Sequence, residues 1–178
     1  MKLRSLTSDF SLAISTLFTA VFSHSEGARE GRVIGELASA LAAAIDGDNI
    51  LCYGAISNDT LLAATFYTHL YYRTSSNVFM LAPVAVSTEH QGKGIGQQLI
   101  NFGLNEIKQH GVDYVVTYGD PNYYQRVGFS GISEDSVRAP FELSMPEGWL
   151  GQSLTDKPVS FGTERPRCVE QFNNAAYW

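Results

Sequence analysis

A chain of 178 residues, 44% hydrophobic and 17% charged, is long and apolar enough to bury one ordinary core, so a single domain over 1–178 is expected. Its net charge of −6 argues against a general nucleic-acid-binding surface, which needs clustered basic residues, and suits a cationic amine mildly. Cys52 and Cys168 lie far apart without metal-ligand spacing, so the economical expectation is a reduced, cytoplasmic protein with no structural metal.

Met1 to Leu6 reads as a short strand. Lys2 and Arg4 precede an apolar stretch, Leu12 to Phe22, that superficially resembles a signal peptide. Yet Phe10, Ile14, Leu17, Phe18, Val21 and Phe22 recur at helical spacing with Ser and Thr between them, and the run is too short to span a bilayer. The spacing predicts an amphipathic core helix from about Asp9 to Ser23, with Ser8 available as its cap, and no membrane partner. His24 to Gly31 is polar with two glycines and reads as a loop. A second helix is expected from Arg32 to Ile45, with Val33, Leu37, Leu41 and Ile45 on one stripe and Asp46-Gly47-Asp48 stopping it.

Ile50 to Ser57 and Thr60 to Tyr72 read as two strands joined across Asn58-Asp59, a pair suited to a tight hairpin. On the second strand Thr65, Tyr67, His69 and Tyr71 alternate onto one face, which either lines an acceptor cleft or meets solvent. After a turn at Thr74 to Ser76, a third strand runs from Asn77 to Val86. Pro83 within it lacks a ladder donor and marks a bulge or an edge.

Gln91-Gly92-Lys93-Gly94-Ile95-Gly96-Gln97-Gln98-Leu99 follows that strand and opens a helix continuing to about His110. Three glycines in five residues allow a tight turn and close approach of a ligand to the main chain. At a helix start the unpaired N–H groups and the dipole favour an anion, so the turn suits phosphate. A Walker A loop fails here: Gly94 follows Lys93 where Ser or Thr is needed, and Ser87 holds the upstream glycine position. A dinucleotide fingerprint fails too, because Gln97 occupies its third glycine position. The helix turns Ile95, Leu99, Phe102 and Ile107 toward the sheet, and Gly111 closes it. A further strand, Val112 to Gly119, leads to a short helix over 120–127 with Asp120 as cap and Pro121 as first residue. Signals weaken beyond Phe129: Phe141 to Met145 reads as a strand, Pro146 to Pro158 as a loop, and Cys168 to Phe172 as a last strand. The order of elements predicts a mixed α/β sheet with helices on both faces.

Gln91, Gly94 and Gly96, as Gln-x-x-Gly-x-Gly, resemble the pyrophosphate-binding turn of the GNAT superfamily of acyl-CoA N-acyltransferases. Tyr124-x-x-x-Gly128-Phe129 resembles that family's tyrosine signature. The fuller string from Gly119 to Phe129, with Leu81-Ala-Pro-Val-Ala-Val86 upstream, is similar to a bacterial subgroup of predicted GNAT acetyltransferases. The resemblance covers about 50 of the 178 residues, from Asn77 to Phe129. It implies a mostly antiparallel, twisted sheet with a splayed parallel pair of strands (77–86 and 112–119). It implies acetyl-CoA as co-substrate, its pantetheine along Val84, Ala85 and Val86, and its phosphates on the turn made by Gln91, Gly92, Lys93, Gly94, Ile95, Gly96 and Gln97. Tyr123 and Arg126 are further candidate cofactor contacts, each with a structural alternative. Thr117 stands where many members carry an asparagine that contacts the pantetheine arm, so that contact is open here.

Acetyl transfer to an amine of pKa ~10.4 requires removal of its proton, since only about one part in a thousand is neutral near pH 7.4. The leaving thiolate needs a proton as well, and the resemblance makes Tyr124, with an ordinary pKa of ~10, the candidate acid. No Ser or Cys nucleophile motif appears, so direct attack by a small-molecule or peptide amine is expected. The base is unassigned; Glu26, Tyr67 and His69 are candidates for the acceptor side. A non-catalytic acyl-CoA sensor and a nucleotide-binding module are the competing readings, and either a monomer or a homodimer is compatible with the chain.

Overall fold

Strand alternation and helical spacing resolve into seven strands and four α-helices in the computed structural model, which describes residues 1–178. The strands are β1 (Lys2–Leu6), β2 (Ile50–Ser57), β3 (Thr60–Leu70), β4 (Val78–Val86), β5 (Tyr114–Tyr118), β6 (Ser130–Gly131) and β7 (Trp149–Ser153). The helices are α1 (Ser11–Glu26), α2 (Ala28–Ala43), α3 (Ile95–Gln109) and the single turn α4 (Pro121–Tyr124). One sheet runs in the order β1-β2-β3-β4-β5-β7-β6, and β4 and β5 form its parallel pair. The chain divides into two compact units, residues 1–67 with 83–103 and residues 68–82 with 104–178.

In the first unit β1 lies antiparallel to β2, from Lys2 opposite Ile56 to Leu6 opposite Cys52. Helices α1 and α2 bury Ile14, Leu17, Phe18 and Val21 from one and Leu37, Ala38, Leu41 and Ala42 from the other. Phe18 meets Phe66 of β3, with ring centroids 6.0 Å apart. Adjacent strand residues point to opposite faces, so Tyr67 looks away from these helices, toward α3. Its hydroxyl donates to the Ile100 carbonyl at 2.9 Å, and Tyr53 stands edge-on to both Tyr67 and Phe102. Strands β2 and β3 are thus covered on both faces.

In the second unit β5 is the axis. Val78 to Leu81 of β4 pair with Tyr114 to Thr117 in parallel, and Trp149 to Ser153 of β7 run antiparallel along its other edge. Trp149 is fully buried; its indole N–H donates to the Val137 carbonyl, and its ring lies 6.3 Å from that of Trp178.

The structure departs from the sequence reading in several places. The loop expected over His24 to Gly31 is a single residue, Gly27 at φ 98°, between two helices that continue to Glu26 and restart at Ala28. The polar residues there are solvent-facing helix positions rather than a linker. Ser8 caps nothing: it opens a 3-10 turn (Ser8–Phe10), and α1 begins at Ser11 without a side-chain cap. Val33 is partly exposed, and Ile45 lies beyond the end of α2. No strand forms at 141–145, whereas β7 falls inside the stretch read as loop, where Gly148 and Gly151 dilute the strand pattern. At 168–172 the expected strand is a 3-10 turn, Glu170–Phe172, and its neighbour Arg167 makes only an isolated bridge to Tyr71.

Local signals fared better. Asp46 stops the second helix by accepting N–H groups from Asp48, Asn49 and Ile50. Its burial works to raise the carboxyl pKa but is outweighed by these bonds and one from the Asn49 side chain, which bring it down to about 2. Asn58 and Asp59 adopt φ 47° and 59°, the paired left-handed conformation of a two-residue hairpin turn. A non-glycine residue at such a φ is strained by about 1 kcal/mol. Asp59→Gly is therefore expected to raise unfolding free energy by up to about 1 kcal/mol, read from urea denaturation.

Candidate active site

Residues 82–103 form the first candidate element of the site. From Val78 to Leu81 every residue of β4 is buried; from Ala82 to Val86 only Ala85 is, the others being half-exposed. The change coincides with the end of the parallel ladder at Leu81 opposite Thr117 and with Pro83 shortly after it. Beyond Val86 the chain stays anchored, since the Ser87 N–H donates to the Leu62 carbonyl at 2.7 Å. A 3-10 turn (Thr88–His90) follows, pinned by a 2.8 Å bond between Ser87 Oγ and His90 Nδ1.

Gly92 and Gly94 then reverse the chain at φ 72° and 75°. Side chains on the turn fold back onto it: Gln91 Nε2 donates to the Val86 carbonyl at 3.0 Å, and Lys93 Nζ donates to the Glu89 carbonyl at 2.9 Å. The first intrahelical bond of α3 runs from the Gln98 N–H to the Gly94 carbonyl. The N–H groups of Ile95, Gly96 and Gln97 precede that bond and are the open donors of the helix end, beside two exposed glycines. This arrangement suits an anion with several oxygens, such as a diphosphate.

The second element lies on β5 and α4. Asp120 accepts the Asn122 N–H and caps α4, with Pro121 at its first position. A left-handed Gly128 (φ 93°) ends the following 3-10 turn, Gln125–Val127. Tyr124 is packed edge-on against Tyr123 and Phe129, with centroids 5.1 and 5.8 Å away. A Cβ on Gly119 would stand 2.8 Å from the Tyr124 ring, so this glycine makes room for it. Burial pushes the Tyr124 phenol up to about 12; the Thr117 side chain opposes the rise and neighbouring Tyr123 adds to it. Thr117 is fully buried and its hydroxyl donates to the Leu81 carbonyl at 2.8 Å. Burial raises the Tyr123 phenol too, and Arg126 is exposed on the 3-10 turn.

The acceptor-side candidates scatter. Tyr67 is fully buried and bonded to Ile100, so the structure makes it a packing residue rather than part of an open face. Glu26 is exposed at the last position of α1. His69 stacks on Phe79 (5.0 Å, 6° between planes), its pKa lowered by burial. With Tyr71, Arg73, Arg165 and Arg167 it lines a cleft of about 730 Å³. Sequence reasoning noted Thr117 only as a departure and missed Gly119 as the space for Tyr124. The glycine directly before Asp120-Pro121 was the available signal.

The model for the acetyltransferase (GNAT) domain matches residues 43–131, half of the chain. The uncharacterized N-acetyltransferase YjhQ of Escherichia coli is 36% identical over 96 residues, covering 51% of this chain and 51% of its own length. The E. coli N-acetyltransferase YhbS is 38% identical over 58 residues, 33% of this chain and 35% of that protein. This chain thus spans about half or less of the length of the curated relatives it matches. Among solved structures, E. coli YhbS in complex with CoA superposes with a TM-score of 0.77 at 22% identity, over 97% of this chain and 92% of that one. A GNAT family acetyltransferase from Brucella melitensis in complex with acetyl-CoA gives 0.70 at 22% identity, over 90% and 92%. A domain match over half the sequence, on a sheet of the same fold, means that the chain belongs to the GNAT acetyltransferase family.

Proposed function

We propose that this protein is an N-acetyltransferase that moves the acetyl group of acetyl-CoA to a primary amine by direct attack, with Tyr124 as general acid to the departing thiolate. The observation that carries this reading is the loss of burial along β4 where its ladder to β5 ends, followed at once by a phosphate-competent turn. In the proposal the amide chain of pantetheine pairs with Val84 to Val86 in the manner of an added strand. The diphosphate takes the donors of Ile95, Gly96 and Gln97, aided by Gln91, Gly92, Lys93 and Gly94. Tyr123 and Arg126 serve as further cofactor contacts. A main-chain N–H of Ala85 or Val86 stabilises the thioester oxygen as charge develops there.

The chemistry follows from protonation states. A phenol held near 12 stays protonated throughout the neutral range and is available to sulfur. The bound amine, once neutral, attacks the carbonyl carbon; the C–S bond breaks, and the Tyr124 proton passes to the thiolate. The proton lost by the amine leaves to solvent, directly or through a base, and the phenolate is reprotonated. The acceptor is an amine, a small molecule or a peptide; Glu26 and His69 remain the candidates near it.

An amine panel assayed for thiol release tests the activity itself, and tight acetyl-CoA binding with no amine consumed would favour a sensor instead. Tyr124→Phe is expected to lower kcat by about 100-fold, the low end for a lost general acid, with KM for acetyl-CoA little changed. Because burial raises the Tyr124 pKa, its ionisation can depress the rate only as pH climbs toward about 12. The wild-type kcat/KM profile is therefore expected to show no Tyr124-dependent fall below about pH 10, the ordinary phenol value. Gly94→Asp combines a left-handed strain of about 1–2 kcal/mol with a carboxylate at the anion site, and should abolish the acetyl-CoA signal in calorimetry. Gly119→Ala forces the Tyr124 ring to move; kcat is expected to fall while the calorimetric affinity for acetyl-CoA holds.

A further inference from the structure

We propose that the cleft of about 730 Å³ between residues 69–77 and 164–167 is a binding site for the oxyanion group of a small molecule, a carboxylate or a phosphate, with Arg167 and Arg73 as its cations. All of its lining residues belong to the second compact unit. The cleft shares no residue with the turn at 91–97, and its reading does not depend on acetyl transfer.

The charge of the cleft runs against that of the chain. Three arginines, Arg73, Arg165 and Arg167, and one acid, Glu164, line it in a protein of net charge −6. Cations gathered in a concave site focus a positive potential on whatever enters. The three arginines are not equivalent. Arg165 is committed to structure: its Nη1 donates to Glu134 at 2.9 Å and to the carbonyls of Ala139 and Phe141 at 2.8 Å. Arg73 pairs with Glu164 at 2.9 Å, but both side chains are mostly exposed, and a pair so open to water is held weakly. Arg167 forms no ion pair. Its guanidinium carbon lies 5.6 Å from the centre of the Tyr71 ring, a contact that fixes the group and leaves its N–H fork for an oxyanion.

The walls are fixed before a ligand arrives. Tyr71 and Arg167 exchange main-chain bonds, the Tyr71 N–H to the Arg167 carbonyl at 2.8 Å and the Arg167 N–H to the Tyr71 carbonyl at 3.3 Å. Further along, the Thr74 hydroxyl donates to the Ser160 carbonyl at 2.8 Å, and the Ser160 N–H donates to Ser76 Oγ at 2.9 Å. The Ser76 hydroxyl therefore keeps its own proton to give. Phe79, His69 and Tyr71 form a row of rings that ends at the Arg167 guanidinium, with successive ring centroids 5.0 and 4.2 Å apart. Charged donors on a braced frame suit a carboxylate or a phosphate and repel a cation. Glu164 shows the binding mode from within the protein: its carboxylate already sits on Arg73, and an incoming ligand displaces it.

The test uses the full chain carrying 15N-labelled arginine, titrated with inorganic phosphate or with malonate at an ionic strength held constant by sodium chloride. Loss of one side-chain Nε resonance in Arg73→Gln and of another in Arg167→Gln assigns the two groups. Both resonances are expected to move and to saturate at millimolar anion. Saturation by malonate alone assigns the site to carboxylates, by phosphate alone to phosphate esters, and by both to either class. Arg167→Gln should weaken the affinity read from the Arg73 resonance about tenfold, the worth of one charge-assisted hydrogen bond. Glu164→Gln removes the competing carboxylate and should tighten it about threefold. Gly94→Asp should leave the titration unchanged, since the anion site of the turn takes no part. Resonances that never saturate, or that chloride moves as far, overturn the proposal, as does a Glu164→Gln variant that binds more weakly. A response lost in Gly94→Asp overturns it too, by moving the anion to the turn. No turnover is measured, so this site and the acetyltransferase reading stand or fall separately.

Discussion

The parallel ladder between β4 and β5 lasts for four residues and ends at Leu81 opposite Thr117, and the functional reading hangs from that ending. Backbone N–H and C=O groups in a sheet have to find partners, so a strand that outruns its neighbour becomes a place for something else to pair. Two residues past the last pair stands Pro83, which has no N–H to give to a ladder. The chain then spends the residues after Val86 on a turn into α3 whose first N–H groups have no intrahelical partner and favour phosphate. An amide-bearing chain that ends in a diphosphate matches both features in the order in which the sequence presents them.

Burial is the second theme, and it acts on Tyr124 in a useful direction. Removing a phenol from water raises its pKa and keeps the proton on oxygen, as the proposed acid for thiolate requires. The same removal makes the proton harder to release.

The features legible in the sequence were those set by short-range chemistry. Asn58-Asp59 gave the hairpin, Asp120-Pro121 the start of α4, and Gly92 and Gly94 the reversal before α3. Each follows from what one or two residues permit at their own φ and ψ. Features that depend on what lies across space were missed. Polar spacing could not show that α1 and α2 are separated by Gly27 alone, nor that Trp149-Leu150-Gly151 is a strand, because β5 decides that pairing. Tyr67 looked like one of a row on an open face, yet α3 covers it; strand alternation says which side a residue faces and nothing of what covers that side. His69, two residues on, lines a cleft instead.

The two side chains that fold back along the turn, Gln91 onto Val86 and Lys93 onto Glu89, have a consequence for recognition. They brace the loop in its own shape before any guest arrives, so little disorder has to be surrendered on docking. Capture then resembles a key entering a cut lock: encounter sets the pace, and the free and occupied forms of this loop should superimpose closely.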